Sequence, residues 1–272
     1  MRLQDLHTHS HFDDGRAPLE EMVRTAIGKG LSAIGLSGHS PIEGADWTIP
    51  ASRLPAYCAE ARRLKVAYQG QIEVYCGIEY DLRSNIDLSQ FDYVIGSNHA
   101  IITQQGSFDV DNTAQVAKEG IDACFAGDSN AAAECYFSQY RKIAANPAVD
   151  LVGHFDLLTK FDEQAQLYQA NHPRYLQAAQ EAMEALTRAG KIFEVNSGAI
   201  SRGYRTSPYP AKALLCFLRE LGGKICLTSD AHSPDGIGCA FRQSLSIAAA
   251  CGFGELWFLT PDGFRPIPIE LP

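Results

Sequence analysis

The sequence predicts an α/β protein built as a parallel barrel, and three observations indicate this. Short apolar runs alternate with longer amphipathic stretches, polar side chains cluster directly after the apolar runs, and no internal repeat or clear linker divides the chain. Alternating strands and helices are typical of parallel sheets. Seven or eight such units on 272 residues favour a closed barrel over an open sheet. We therefore expect residues 1–272 to form a single domain.

The predicted strands are short apolar runs that can be buried on both faces of a parallel sheet. An apolar run at residues 256–259 is a candidate for an eighth strand. The other seven lie at residues 3–7, 33–37, 73–78, 93–96, 151–153, 192–195 and 225–228.

The predicted helices are amphipathic stretches between these runs. Pro18, Pro208 and Pro210 lie at or near helix starts, where a missing N–H costs nothing, and Gly190 and Gly222 follow helix ends. The helices are expected near residues 19–29, 54–68, 112–125, 131–145, 174–189, 211–221 and 242–251.

Charge and hydropathy exclude several classes of protein. The chain has 23 basic and 32 acidic residues, for a formal charge of −9, with no dominant basic cluster. This argues against a general binder of nucleic acid or of acidic membranes. No run of about 18 apolar residues predicts a membrane span. The first residues lack the pattern of a signal peptide, so we expect a cytoplasmic protein.

The eight cysteines are at least ten residues apart and form no C-x-x-C pair. Several lie inside apolar runs, as Cys226 does. This pattern predicts buried free thiols in a reducing cytosol rather than a disulfide framework.

Titratable side chains are concentrated after the strands. The segment DLHTHSHFDDG at residues 5–15 alone holds three histidines and three aspartates. Seven of the eight histidines follow predicted strands, and several carboxylates accompany them. The residues in these segments are His7, His9, His11, Asp13, Asp14, His39, Glu79, His99, His154, Asp156, Glu194, Asp230 and His232.

These side chains predict a metal centre with more than one ion. The C-terminal ends of barrel strands meet on one face, which brings distant residues together. Imidazole and carboxylate ligands suit zinc, iron or manganese. His7 and His9 are two positions apart and point to the same side, and Asp230 and His232 repeat this spacing.

Some of the polar residues have simpler explanations. We expect His11 and His172 to be ordinary loop histidines. Asp13, Asp156 and Glu194 are either ligands or groups that cap turns and support the ligands.

With these residues in place, the chain resembles the polymerase and histidinol phosphatase (PHP) family, and within it the monofunctional histidinol-phosphate phosphatases. The matching segments occur in the family's order from residue 5 to about residue 240. They are DLHTHSHFDDG, SGHSP, GIEYD, FDYVIGSNH, LVGHFDLLTKF, FEVNSGA, SPYP and TSDAHSP.

The resemblance implies a distorted (β/α)7 barrel with two to three divalent metals (zinc, iron or manganese) at the C-terminal face. A hydroxide bridging two metals would be the nucleophile. The implied ligands are His7, His9, Glu79 and Asp230 for one ion, Glu79, His99 and His154 for a second, and Asp14, His39 and His232 for a third. Asp14 is preferred to Asp13 because the family's acid directly precedes a glycine, here Gly15.

The substrate implied by the resemblance is L-histidinol phosphate, a small phosphomonoester. Lys160 and Arg202 are the candidate phosphate contacts, with Arg205 as a weaker competitor and a solvated surface position as the alternative for each. The chain departs from the family at Lys160, where some relatives have arginine, and in the segment GSNHAII around His99. A lysine keeps the charge but lacks a bidentate fork.

Two other functions stay open. One is hydrolysis of a different phosphoester, such as a nucleotide or sugar phosphate, and the other is a non-catalytic, metal-stabilised binding domain. An amidohydrolase barrel also begins with H-x-H but usually has a lysine on its fourth strand, which is absent from GSNH. No phosphate-binding glycine loop and no G-x-S-x-G motif occurs. The oligomeric state is not predicted.

Overall fold

The structure is a computed structural model that describes residues 3–269 of the chain. In chain order its strands are β1 Gln4–Asp5, β2 Ala33–Leu36, β3 Glu73–Asp81, β4 Tyr93–Ser97, β5 Ala100–Ile102, β6 Ser107–Asp109, β7 Leu151–Val152, β8 Ile192–Asn196, β9 Lys224–Thr228, β10 Glu255–Thr260 and β11 Gly263–Pro268. Its helices are α1 Leu19–Gly28, α2 Leu54–Ala67, α3 Ala114–Phe125, α4 Ser129–Ser138, α5 Tyr140–Ala145, α6 Asp162–Ala165, α7 Pro173–Arg188, α8 Gly198–Ser201, α9 Lys212–Glu220 and α10 Phe241–Ala250.

Seven parallel strands form the barrel in the order β1, β2, β3, β4, β7, β8, β9. The ring closes between its first and last strands just beyond their ends. There the N–H of His9 donates to the carbonyl of Ala231 at 2.9 Å, and the N–H of Ala231 donates to the carbonyl of His7 at 3.1 Å. The predicted seven-stranded α/β barrel is therefore confirmed.

The run at residues 256–259 does form a strand, but this strand is not part of the barrel. It belongs to β10, which pairs with β11 in an antiparallel hairpin. This hairpin lies at the beginning of β1, where the Gln4 side chain bonds both the N–H and the carbonyl of Leu259 at 2.9 and 2.7 Å. The apolar pattern arises because Leu256 and Leu259 are buried against the barrel's N-terminal end.

All seven predicted helices are present, one of them in two parts, and the short helices α6 and α8 were not predicted. The stretch predicted at residues 131–145 forms two helices, α4 and α5, that meet at Gln139. The structure also contains a short hairpin, β5–β6, that the sequence did not predict. Within residues 3–269, no helix is both long enough and apolar enough to cross a membrane.

The barrel interior depends on two glycines that face one tyrosine. A Cβ atom at Gly35 of β2 would lie 2.0 Å from the hydroxyl oxygen of Tyr93, and one at Gly77 of β3 would lie 2.2 Å from its ring. The ring is buried, and its hydroxyl donates to the carbonyl of Leu6. Tyr93 therefore fills space that no residue other than glycine leaves free on β2 and β3.

The prediction that all eight cysteines are free thiols was wrong for two of them. Cys216 of α9 and Cys251, directly after α10, form a disulfide, while the other six are free. The two are 35 residues apart in sequence and become neighbours only because α9 and α10 pack side by side outside the barrel. Sequence spacing carries no signal for such a contact.

Candidate metal centre

The structure brings together all nine side chains that the resemblance implied as metal ligands. They lie at the C-terminal face of the barrel, either after a strand or, for Glu79, near the end of one. Seven are buried, while His232 is half-buried and Asp14 is exposed at the mouth. The nine are His7, His9, Asp14, His39, Glu79, His99, His154, Asp230 and His232.

Glu79 lies at the centre of this group, and its two carboxylate oxygens face different histidines. Oε2 is 2.7 Å from Nδ1 of His39 and 3.2 Å from Nε2 of His7. Oε1 is 2.8 Å from Nε2 of His154 and 3.2 Å from Nε2 of His99. The carboxylate thus separates two sets of imidazoles, as a residue bridging two ions would.

Asp230 and Asp14 extend the cluster on its other side. Asp230 Oδ1 is 3.2 Å from Nε2 of His9. Asp14 Oδ1 is 3.2 Å from Nε2 of His232 and 3.7 Å from Nε2 of His39. Asp14 therefore faces the histidines implied for the third ion.

Within residues 3–269, three sets of ligand atoms are close enough together to hold a metal ion. In each set the atoms lie within 4.8 Å of one another. The sets overlap, because His9 and His39 each belong to two of them. They are His7, His9 and Asp230; His39, Glu79 and His99; and His9, Asp14, His39 and His232.

The hydrogen bonding of the buried atoms shows that these residues fit metal ions. His7 Nε2, His9 Nε2 and Glu79 Oε2 are buried, and although they lie close to other polar atoms of the cluster, none of them makes a hydrogen bond of acceptable geometry. Leaving a buried polar atom unpaired costs about 1–3 kcal/mol. All three point into the cluster, so cations there would satisfy them together. The donor set of imidazoles and carboxylates suits zinc, iron or manganese.

Carboxylates outside the cluster contact three of its histidines. Each contact is made to the ring nitrogen that faces away from the cluster. His7 Nδ1 is 2.8 Å from Glu194 Oε1, and His9 Nδ1 is 2.7 Å from Asp13 Oδ2. Such partners fix the tautomer and orientation of a metal-binding imidazole. Asp13 and Glu194 were expected to be either metal ligands or groups that support them. Their positions favour the second role, support of the candidate ligands His9 and His7.

Asp81 holds the third histidine and has no assigned role in the sequence prediction. Its Oδ2 is 2.8 Å from Nδ1 of His99. The signal that could have identified it is spacing, because Asp81 follows Glu79 by two positions on β3 and lies on the same side of the strand.

The remaining candidates lie outside the cluster. Asp156 is buried and accepts a hydrogen bond from the N–H of Ala211 at 3.0 Å. His172 caps α7 by accepting from the N–H of Arg174 at 3.2 Å. His11 is exposed.

The buried carboxylates of the cluster require positive charge close to them. Burial alone would raise the pKa of Glu79, but His39, His7 and His99 hold it well below its ordinary value. Burial also opposes ionisation of His9, yet Asp13 and the other carboxylates raise its pKa to about 10. Nearby carboxylates raise the pKa of His7 and His99 as well, which favours protons on these three imidazoles when no metal is bound. Metal binding would release those protons.

A cavity of about 460 Å³ opens above the cluster. Basic residues in its lining include Arg16 and the two candidate phosphate contacts, Lys160 and Arg202. Two aromatic residues, Trp47 and Tyr204, line it as well. Its acidic residues away from the cluster are Asp46, Asp109 and Asp111.

The two predicted phosphate contacts differ in their surroundings. Lys160 donates to the backbone carbonyl of Asp111 at 2.7 Å and lies 4.9 Å from the ring centroid of Tyr204. Arg202 contacts two candidate ligands, since its guanidinium is 3.1 Å from Asp230 Oδ2 and 2.9 Å from His232 Nδ1.

Arg205, the competitor, is buried deeper than these two. It donates to the hydroxyl of Thr159, and its guanidinium lies 4.4 Å from the ring centroid of Tyr209. Within the part of the chain that the structure describes, Arg205 does not line the cavity.

The family of the chain follows from a match that covers most of its length. The PHP domain model matches residues 5–198. The chain belongs to the PHP family. Seven of the nine clustered residues lie inside the matched span, and Asp230 and His232 lie beyond it. The resemblance seen in the sequence motifs is thereby confirmed.

Relatives of this PHP protein cover nearly its whole length. The histidinol-phosphatase of Bacillus subtilis is 25% identical over 269 residues, which are 90% of this chain and 99% of the relative. A solved structure from Listeria monocytogenes has a TM-score of 0.78 at 20% identity and covers 88% of this chain and 99% of its own. The structure of histidinol phosphate phosphatase from Lactococcus lactis, complexed with zinc, L-histidinol and phosphate, has a TM-score of 0.72 at 22% identity, over 97% of this chain and 99% of that one. These two structures share the PHP barrel fold with this chain.

Proposed function

We propose that this chain is a metal-dependent phosphatase that hydrolyses L-histidinol phosphate to L-histidinol and phosphate. The observation that carries the proposal is the buried cluster of imidazoles around Glu79, covered by a cavity with Lys160 and Arg202 in its lining. The Bacillus subtilis relative, which is named for this activity, matches 90% of the chain. The Lactococcus lactis relative in complex with zinc, L-histidinol and phosphate supports the same substrate.

We further propose that two to three divalent transition metals, zinc, iron or manganese, bind to the nine clustered residues. When bound, the metals would supply an activated water and neutralise charge on the phosphoryl oxygens. Glu79 would bridge two metal positions, because its two oxygens face separate imidazoles. Glu194 and Asp13 would keep His7 and His9 in the tautomer that leaves Nε2 free to bind.

Lys160 and Arg202 would orient the phosphate and balance its charge. Both line the cavity, so a phosphate placed against the cluster would be within reach of their side chains. The phosphoryl group carries two negative charges, and hydrogen bonds to charged groups are stronger than neutral ones. The two cations therefore supplement the positive charge of the metal centre.

Other residues that line the cavity suit the organic part of histidinol phosphate. Histidinol has an ammonium group and an imidazole, and the lining offers Asp46 and the aromatic ring of Trp47. Asp109 and Asp111 line the cavity as well, although they already pair with Arg83 and Lys160. Carboxylates attract a cationic leaving group, and they repel the additional phosphates of a nucleotide. This charge pattern favours histidinol phosphate over a more anionic phosphoester.

A substrate panel tests the proposal. Protein reconstituted with zinc, iron or manganese is assayed for phosphate release from L-histidinol phosphate, a sugar phosphate and a nucleoside monophosphate. We expect the highest kcat/KM with L-histidinol phosphate and two to three metal ions per chain by elemental analysis. A better substrate in the panel would refute the proposed substrate, and a metal content that stays at trace level after reconstitution would refute the metal centre.

Glu79→Gln serves as the variant for this test, because it removes the charge of the central carboxylate with little change in shape. We expect phosphate release at background level. Glu73→Gln on the exposed first residue of the same strand is the matched control and should retain wild-type activity. Substantial turnover by Glu79→Gln would mean that the centre is wrongly assigned.

A further inference from the structure

One arginine links the metal cluster to the wall of the cavity. Arg83 follows β3, and its guanidinium forms a fork with Asp81: Nε is 2.9 Å from Oδ1, and Nη2 is 3.1 Å from Oδ2. Its third nitrogen, Nη1, is 2.7 Å from Oδ1 of Asp109. Arg83 thus contacts two carboxylates on two different elements of the protein.

The inner of these carboxylates supports a candidate metal ligand. Asp81 is buried, and its Oδ2 bonds to Nδ1 of His99 at 2.8 Å, which leaves Nε2 of His99 facing Glu79. Asp81 is therefore an acceptor that His99 and Arg83 share.

The outer carboxylate belongs to the hairpin β5–β6, which begins directly after His99. Asp109 ends this hairpin and lines the cavity. The hairpin returns to its starting point, since the N–H of Val110 donates to the carbonyl of His99 at 2.9 Å. The backbone and Arg83 therefore both connect this part of the cavity wall to His99.

Arg83 also contacts the aromatic part of the wall. Its guanidinium carbon lies 5.7 Å from the ring centroid of Trp47. Trp47 in turn contacts two candidate ligands edge-on, with ring centroids 4.6 Å from His39 and 5.4 Å from His99. A displacement of Arg83 would thus affect Trp47, Asp109 and Asp81 together.

We propose that Arg83 is a positioning residue that holds the cavity wall formed by Trp47 and Asp109 in a fixed place relative to His99. This inference rests on the proposed function, because the wall faces the organic part of the substrate. Arg83 acts on the candidate ligand His99 through Asp81. Its role is to couple binding of the organic part of the substrate to the geometry of the metal centre.

The role requires arginine rather than any cation. The planar guanidinium pairs with both oxygens of Asp81 and still has a nitrogen for Asp109, whereas a lysine ammonium lacks this fork. A lysine at position 83 would keep the charge and lose the simultaneous contacts. Substitution by lysine therefore separates positioning from simple electrostatics.

The test uses the metal-loaded protein with Arg83→Met, Arg83→Lys and Asp109→Asn, and Arg24→Met as control. Arg24 is exposed on α1 and pairs with Glu20 away from the cavity. KM and kcat are measured with L-histidinol phosphate and with phenyl phosphate, which lacks the ammonium and imidazole. Zinc affinity is measured separately by competition with a chelator.

For Arg83→Met we expect a KM for L-histidinol phosphate raised about tenfold, a smaller change for phenyl phosphate, and zinc affinity lowered about 10- to 100-fold. Arg83→Lys should restore neither property. Asp109→Asn should raise KM for L-histidinol phosphate while zinc affinity stays at the wild-type value, and it tests the outer contact even if Arg83→Met fails to fold. Arg24→Met should behave as wild type.

The inference is overturned if Arg83→Met lowers only the thermal stability, if it raises KM equally for both esters, or if Arg83→Lys restores wild-type behaviour. The zinc competition needs no substrate, so it separates this inference from the proposed function. Loss of zinc affinity in Arg83→Met supports the positioning role even if another phosphoester is the better substrate. Unchanged zinc affinity contradicts it whichever ester the wild type hydrolyses.

Discussion

At the scale of single residues, Asp13 and Asp14 show how neighbouring carboxylates take different positions. Asp13 Oδ2 lies 2.7 Å from Nδ1 of His9 and accepts from the N–H of His39 at 2.9 Å, so it supports the cluster from outside. Asp14 faces His232 at the mouth of the cavity. The tight turn after β1 thus supplies one carboxylate to orient a candidate ligand and another to act as one.

Arg202 lies between the candidate metal ligands and the cavity. Its guanidinium contacts Asp230 and His232, and it also lines the cavity where the phosphate would bind. Burial opposes its charge, but Asp230 outweighs this and raises the pKa of Arg202. Lys160 pairs instead with Asp111, which lies outside the cluster. The two cations should therefore respond differently to substitution.

We predict that Lys160→Ala and Arg202→Ala each lower kcat/KM for L-histidinol phosphate by roughly 10- to 150-fold. This range corresponds to one charge-assisted hydrogen bond of about 1.5–3 kcal/mol. Lys160→Ala should retain its full metal content, whereas Arg202→Ala should lose part of it, because Asp230 and His232 lose their partner. Kinetics, inhibition by phosphate and elemental analysis check this. Wild-type kinetics in both variants would contradict their role in binding the phosphate.

At the scale of single elements, the strands β2 and β3 are shaped around Tyr93 of β4. Gly35 and Gly77 leave room for its ring, and the hydroxyl reaches across the barrel to the carbonyl of Leu6. This one side chain therefore joins β4 to β2, to β3 and to the end of β1.

We predict that Gly35→Ala lowers the free energy of unfolding by at least about 1–3 kcal/mol, because the added methyl group would overlap the Tyr93 hydroxyl. Gly28→Ala is the matched control, since its Cβ atom would meet nothing within 4 Å at the end of α1. Urea unfolding with comparison of midpoints and slopes measures both. Equal stability of the two variants would contradict the overlap.

The short helix α6 begins with a carboxylate in an unusual environment. Burial raises the pKa of Asp162 to about 6, although it accepts hydrogen bonds from the N–H groups of Leu167 and Tyr168 at 3.1 and 3.2 Å. Because the folded pKa lies above the unfolded one, the native state binds more protons between about pH 4 and pH 6. This group therefore makes the protein less stable as the pH rises through that interval.

We predict that Asp162→Asn removes this dependence, because an amide oxygen accepts the same two hydrogen bonds without titrating. The stability of the wild type relative to the variant should fall by roughly 2–3 kcal/mol from about pH 4 to pH 7. Denaturant unfolding of both proteins across this range measures the difference. A difference that stays constant with pH would contradict the raised pKa of Asp162.

At the scale of the whole molecule, the barrel is held closed by contacts between its two ends. Asp5 of β1 accepts from the N–H of Ser229 and the N–H of Gly238, both at 3.0 Å, and so ties the segment after β9 to the first strand. Burial raises the pKa of Asp5, and the hydrogen bonds from Ser229 offset part of the shift. The same segment carries Asp230 and His232 to the cluster. The contacts that close the barrel therefore also hold the segment that brings Asp230 and His232 into the cluster.

We predict that the disulfide between Cys216 and Cys251 adds roughly 2–4 kcal/mol to the stability of the oxidised protein. Thiol titration in denaturant without reductant should find six free thiols, and eight after reduction. Cys251→Ser should lose stability and become insensitive to reductant, unlike Cys239→Ser at a free cysteine. Eight thiols without reductant would mean that the protein exists in the reduced form.

The sequence by itself determined the barrel class and the family, and it predicted the residue types of the candidate metal centre. Strand and helix periodicity is a local property, and parallel strands must present their ends on one face, so histidines placed after strands predict a shared site. The positions of His7, Glu79 and Asp230 relative to their strands therefore suffice to group them. The motifs around them carry the resemblance to the PHP family.

Only the tertiary structure decided which neighbours support the candidate ligands and which parts of the chain form the cavity wall. His7 and Glu194 are 187 positions apart, and Arg83 meets Asp109 through a hairpin without a clear sequence signal. The tertiary structure alone also decided two further features. They are the disulfide that joins Cys216 of α9 to Cys251 and the placement of β10 outside the barrel. Each depends on how separate elements pack against one another once the barrel closes. Local sequence patterns carry no information about the distances between residues on different elements.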